Sequence, residues 1–276
     1  MRARIPFRLA GGAQPLILVP VQVNGDGPHW FILDTGAGHC LLTPELARRL
    51  GVTARETRQG RGAAGQATVG IGTVESLAVG GISSGPLDVG ITDEIHRIAA
   101  VVGTAIDGDL GFPFLQRFRL ELDYAGRILT LDDGLDPAAD PTPAIDFTLA
   151  SPLKPLILVP GAVNGKGRFT FALDTGTSMT VISTELARQL ELKLDASTTL
   201  TGVGGTLASA AGRLESLSIG SSRTAGLTVA ASGFVEQLGR AIGRDFDGIV
   251  GYDFLRRFRP AIDYPRRTLQ LASGAA

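Results

Sequence analysis

Pro15-Leu16-Ile17-Leu18-Val19-Pro20 returns unchanged as Pro155-Leu156-Ile157-Leu158-Val159-Pro160, an offset of 140 residues. The same offset carries Leu33-Asp34-Thr35-Gly36 onto Leu173-Asp174-Thr175-Gly176, Glu45-Leu46-Ala47-Arg48 onto Glu185-Leu186-Ala187-Arg188, and Glu75-Ser76-Leu77 onto Glu215-Ser216-Leu217. Late in each copy Asp107-Gly108 falls on Asp247-Gly248, Phe114-Leu115 on Phe254-Leu255, and Asp123-Tyr124 on Asp263-Tyr264, with no gap needed. A register held over so long a span identifies a duplication: two homologous halves, each of about 130 residues, the size of a small domain. Two copies are too few for a solenoid, so a pseudo-twofold pair is the simpler geometry. The halves are assigned to residues 1–133 and 147–276. Between them, residues 134–146 form a linker that opens Gly-Leu-Asp-Pro-Ala-Ala-Asp-Pro-Thr-Pro, rich in proline and aspartate and without apolar periodicity.

The local signals are mainly β. Residues 16–23 and 157–163 are short apolar runs with β-branched residues, each followed by Asn-Gly, at Asn24-Gly25 and Asn164-Gly165. Asn and Gly both accept positive φ, which a tight hairpin turn demands. The returning strands, predicted at 30–33 and 170–173, deliver Asp34 and Asp174 to a loop at the strand end. Thr43 and Ser183 then cap short helices running to about Leu50 and Leu190. Further short strands with glycine-rich turns follow. A last helical turn is expected over 114–118 and 254–258, before closing strands from Arg119 and Pro260. Each half is thus read as a β-rich unit with two short helices.

With 276 residues, 44% hydrophobic, 19% charged and a net charge of −1, the composition is that of a soluble globular protein. Its short arginine runs, Arg117–Arg119 and Arg256–Arg259, read as solvated faces, so no nucleic-acid partner is expected. The apolar stretch from Pro15 to Val23 is too short for a membrane-spanning helix, and the N-terminus lacks a signal-peptide plan. A single cysteine, Cys40, excludes an internal disulfide framework and leans towards a cytoplasmic setting; an exported protein whose signal peptide has been removed would read the same way.

One Asp-Thr-Gly is an ordinary turn sequence. Here it occurs twice, each time behind an apolar strand (Phe31-Ile32-Leu33, Phe171-Ala172-Leu173) and at equivalent positions of a duplicated half, so a pseudo-twofold axis can bring the loops face to face. Asp34-Thr35-Gly36-Ala37-Gly38 and Asp174-Thr175-Gly176-Thr177-Ser178 resemble the catalytic loops of the aspartic peptidase superfamily. Ile249-Val250-Gly251 resembles the apolar-apolar-Gly motif that packs behind such a loop, and Leu110-Gly111 fits less well because Asp109 stands where the first apolar residue belongs. The resemblance covers essentially the whole chain. By half length it is closest to a fused pair of retropepsin-like β-barrel halves, a type that fits a bacterial protein.

The resemblance implies an aspartic endopeptidase acting on peptide or protein substrates, with Asp34 and Asp174 as the catalytic pair. Two carboxylates held close cannot both ionise cheaply, so they share a proton; one activates water and the other protonates the carbonyl oxygen, with no cofactor or metal. Thr35 and Thr175 would hydrogen-bond across the axis, and Gly36 and Gly176 would let the loops turn beneath the carboxylates. Gly62-Ala63-Ala64-Gly65 and Gly202-Val203-Gly204-Gly205 lie where such enzymes carry flaps over the cleft, and neither has a flap tyrosine. With both halves in one chain, the site can form within a monomer. His29, His39 and His96 show no metal-ligand spacing, Cys40 no companion ligand, and the aspartates of Asp107-Gly108-Asp109 and Asp245-Phe246-Asp247-Gly248 read as turn formers. The alternative is a catalytically silent relative that keeps the cleft as a peptide-binding module.

Overall fold

A computed structural model describes residues 1–12, 15–62, 65–133, 142–152, 154–202 and 205–274. The fold is mainly β and consists of two halves related by a pseudo-twofold axis.

Each half opens with the hairpin that its Asn-Gly pair dictates. Asn24 and Gly25 take φ of 52° and 80°, Asn164 and Gly165 of 52° and 72°, which closes the Leu16–Val23 and Asp26–Leu33 strands and the Ile157–Val163 and Lys166–Leu173 strands into two-residue turns. The returning strands start four residues earlier than the sequence suggests, because Val23 already pairs with Asp26 and Val163 with Lys166. The Asn24 and Asn164 side chains each accept from backbone further along the half, at Glu75 and Ser216 respectively (2.8 and 3.1 Å).

Short helices follow at Pro44–Arg49 and Thr184–Gln189, capped by the Thr43 and Ser183 hydroxyls, which accept from the amides of Leu46 and Leu186. Among the described residues each half has three helices, not two. Those missed are Glu94–Val102 and Phe234–Ile242, both ended by a left-handed glycine, Gly103 (φ 70°) and Gly243 (φ 69°). The last helical turns sit two residues earlier than expected, at Phe112–Leu115 and Tyr252–Leu255, directly after the extended residues Gly111 and Gly251; Phe258 already belongs to a strand.

Sheet pairing explains how the halves stay together. One sheet of six described strands runs Arg2–Pro6, Ile128–Asp132, Arg119–Asp123, Phe258–Asp263, Thr268–Ser273, Ile145–Asp146, so it takes strands from both halves. Its central pair is antiparallel and joins equivalent strands, with Glu121 opposite Ala261, its own counterpart in the repeat. The pseudo-twofold axis therefore crosses the sheet at that pair. Ile145-Asp146, the end of the sequence-assigned linker, forms the edge strand, and 134–141 lie outside the described residues.

Packing repeats this exchange. Tyr124 meets the Tyr252 ring edge-on (centroids 5.4 Å), and Tyr264 meets Phe112 (5.7 Å), so each half's closing strand docks an aromatic ring on the other half's last helix. One buried apolar cluster runs through both halves, from Ile5, Val19 and Leu33 to Val159, Leu173 and Leu269. Two satellites lie beneath the missed helices, with Ile95 and Ile98 over Leu18 and Ile32, and Val235 and Leu238 over Leu158 and Ile249. No helix among the described residues is long and apolar enough to cross a membrane.

Candidate active site

Asp34 and Asp174 each follow the last residue of a central strand and are held there by a parallel neighbour. Gly108–Leu110 pairs with Phe31–Leu33 and Gly248–Val250 with Phe171–Leu173. The amide of Asp34 then donates to the Leu110 carbonyl (3.2 Å) and that of Asp174 to Val250 (3.0 Å). Behind these loops, Gly111 and Gly251 pack so closely that a Cβ would lie 2.8 Å from the Ala37 and Thr177 carbonyl oxygens.

The two loops meet across the axis through their threonines, both only 1% exposed. The Thr35 amide donates to Thr175 Oγ1 (3.1 Å) and the Thr175 amide to Thr35 Oγ1 (3.0 Å). Each hydroxyl donates onward to a carbonyl of the opposite half, Thr35 to Leu173 (3.2 Å) and Thr175 to Leu33 (2.7 Å). These four bonds satisfy the buried amides and hydroxyls of both threonines and fix the loops relative to each other.

With the threonines locked, the carboxylates face one another. The α-carbon of Gly36 lies against Asp174, where an added Cβ would stand 2.5 Å from Oδ2, and Gly176 lies likewise against Asp34, at 2.6 Å from its Oδ2. The amides of Gly36 and Gly176 donate to the carboxylates of their own loops, Asp34 (2.7 Å) and Asp174 (2.8 Å). Burial, and next the charge of Asp34, holds Asp174 well above the usual carboxylate range, so Asp174 favours its protonated form. Such a pair can present one ionised and one protonated carboxyl to a shared ligand.

The glycine-rich segments of each half lie on antiparallel hairpins. Gly62 pairs with Gly65 at the end of the Glu56–Gly62 and Gly65–Val74 strands, and Gly202 with Gly205 at the end of Leu194–Gly202 and Gly205–Ile219. Ala63, Ala64, Val203 and Gly204 lie outside the described residues.

Other aspartates do more than form turns. Asp107 accepts from the Trp30 amide (2.9 Å) and Asp247 from the Thr170 amide (2.7 Å), pinning the strands that lead to Asp34 and Asp174. Asp253 accepts from the amide and hydroxyl of Thr180 (3.0 and 2.6 Å). Asp109 is 2% exposed in a strand, within hydrogen-bonding reach of the Asp34 carboxyl, and burial followed by the Asp34 charge drives it far above the ordinary range. Its only sequence signal was that it interrupts an apolar motif. Cys40 is buried against Gly111, and desolvation pushes its thiol up to about 12, leaving it unreactive.

No curated protein matches the chain. A family model described as aspartyl protease matches it twice, over residues 19–114 and 159–254, the same offset that relates the two halves. Together these matches cover most of the chain, which belongs to the aspartyl protease family.

Proposed function

We propose that this protein is an aspartic endopeptidase whose catalytic pair is Asp34 from the half at residues 1–133 and Asp174 from the half at 147–276, with 134–146 as the linker. The observation that carries this reading is the mutual approach of the two carboxylates, each against the glycine of the opposite loop. Water bound between them is deprotonated by the charged carboxylate as it attacks the scissile carbonyl. The protonated partner donates to the carbonyl oxygen, so a tetrahedral diol forms without a covalent enzyme intermediate. Thr35, Gly36, Thr175 and Gly176 hold the pair in register. The glycine-tipped hairpins act as flaps over an extended peptide, which they bind through main-chain hydrogen bonds. The reaction needs two carboxylates and water, and the site is built within one molecule.

The test is cleavage of an unfolded protein and of a quenched peptide library from acid to neutral pH, with wild type, Asp34→Ala and Asp174→Ala, each with and without pepstatin. Wild type should cut, and each substitution should abolish cleavage while the fold survives. An inert wild type, or full activity in either variant, would overturn the reading and leave the peptide-binding module in its place.

A further inference from the structure

Among the positions at which the two halves differ near the carboxylate pair, one exchanges an apolar residue for an acid. Where the second half has Ile249, packed among Leu158, Ala172, Val235 and Leu238, the first has Asp109. The strand registers set Asp109 opposite Ile32 on one side and Leu41 on the other, both apolar. A carboxyl group has therefore been placed in an apolar slot. Its Oδ1 has no hydrogen-bond partner, and the carboxyl lies within hydrogen-bonding reach of Asp34.

An ionised carboxylate in that slot would be doubly unfavourable, stripped of water and set against a second negative group. The ionisable groups facing it are Asp34 and Asp174 from the two loops, Cys40 from the adjoining strand, and Lys154 from the segment before Ile157–Val163. Among the described residues no cation comes close enough to form an ion pair with it. A protonated Asp109 removes both penalties at once, because its O–H can donate to an Asp34 oxygen, and a hydrogen bond to a charged acceptor is among the stronger kinds.

We propose that Asp109 is a positioning residue that carries its own proton and donates it in a hydrogen bond to Asp34, fixing the negative charge of the pair on Asp34 and the shared proton on Asp174. The inference rests on the peptidase reading for its kinetic consequence, though not for the proton itself. Asp34 becomes the standing base and Asp174 the standing acid, so the duplicated halves have unequal chemical roles.

Two substitutions separate the possibilities. Asp109→Asn keeps the shape and an N–H donor, and Asp109→Ile copies the residue that the equivalent slot already holds. The acid limb of the kcat/KM profile should stay in place for Asp109→Asn and move upward by about one pH unit or more for Asp109→Ile, which withdraws the bond that favours charge on Asp34. A downward shift in both would mean that Asp109 is an anion, and an unmoved limb with only KM altered would make it a wall of the substrate pocket; either overturns the proposal. Infrared difference spectra supply an arm independent of cleavage. At neutral pH, Asp109→Asn should lose one protonated-carboxyl carbonyl band and Asp174→Asn another. If Asp109→Asn loses none, Asp109 holds no proton and the proposal fails, whether or not the protein cuts peptides; an inert wild type would defeat only the peptidase reading.

Discussion

Replacing Thr175 with valine keeps its shape and removes one hydroxyl from the junction between the loops. Two groups then lose their partners, the Leu33 carbonyl, which accepts at 2.7 Å, and the Thr35 amide, which donates at 3.1 Å. With both threonines 1% exposed, water has little access to either orphan. A buried unsatisfied group costs about 1–3 kcal/mol, so the pair should cost about 2–6 kcal/mol. That is a large part of the roughly 5–15 kcal/mol that keeps a typical protein folded. Urea unfolding followed by fluorescence should show the midpoint fall at unchanged slope. Thr175→Ser, which retains Oγ, should recover most of the loss. A valine variant within about 0.5 kcal/mol of wild type, the range of an ordinary surface substitution, would refute the claim that these bonds join the halves. So would a serine variant as unstable as the valine one.

Gly176→Ala places a methyl 2.6 Å from Asp34 Oδ2, which must move aside; peptide cleavage should fall by at least about 100-fold while circular dichroism stays native, and near-wild-type turnover would count against the close approach of the loops. The raised affinity of Asp174 for its proton has a definite sign in stability. Its stabilising contribution is complete below the unfolded carboxylate pKa of about 3.9 and fades as pH rises towards the folded value. Asp174→Asn should therefore unfold at higher urea than wild type at neutral pH, with the gap closing as pH falls towards 4, by at most about 1.4 kcal/mol per pH unit; a gap that widens on acidification would contradict the sign.

Much of this architecture is legible in the sequence because its determinants are local. Asn24-Gly25 and Asn164-Gly165 specify turns of positive φ, and Thr43 and Ser183 specify helix starts through a hydroxyl that reaches only three residues ahead. The helices at Glu94–Val102 and Phe234–Ile242 did leave a trace. Ile95, Ile98 and Val102, like Val235, Leu238 and Ile242, follow a helical spacing ended by glycine, but the stretches are short and sit among strand signals. The shared sheet left no local mark, since its decisive pairing joins Arg119–Asp123 to a strand far along the chain, and nothing near Arg119 announces that partner. Asp109 was visible only as a break in a motif. Its proximity to Asp34 depends on a parallel pairing between segments some 75 residues apart, which spacing alone does not give.

The shared sheet also sets a timetable for synthesis. A ribosome releases residues 1–133 long before the strand Phe258–Asp263, so the Arg119–Asp123 strand emerges with one edge unpaired and keeps it bare while the second half is made. The Arg2–Pro6 strand, by contrast, finds Ile128–Asp132 within the first half and can close that side early. Tyr124 waits as well, because the ring it packs against, Tyr252, is among the later residues to appear. The cleft is thus complete only when nearly the whole chain has been made, and a nascent chain arrested at mid-length would hold one Asp-Thr-Gly loop with nothing opposite it.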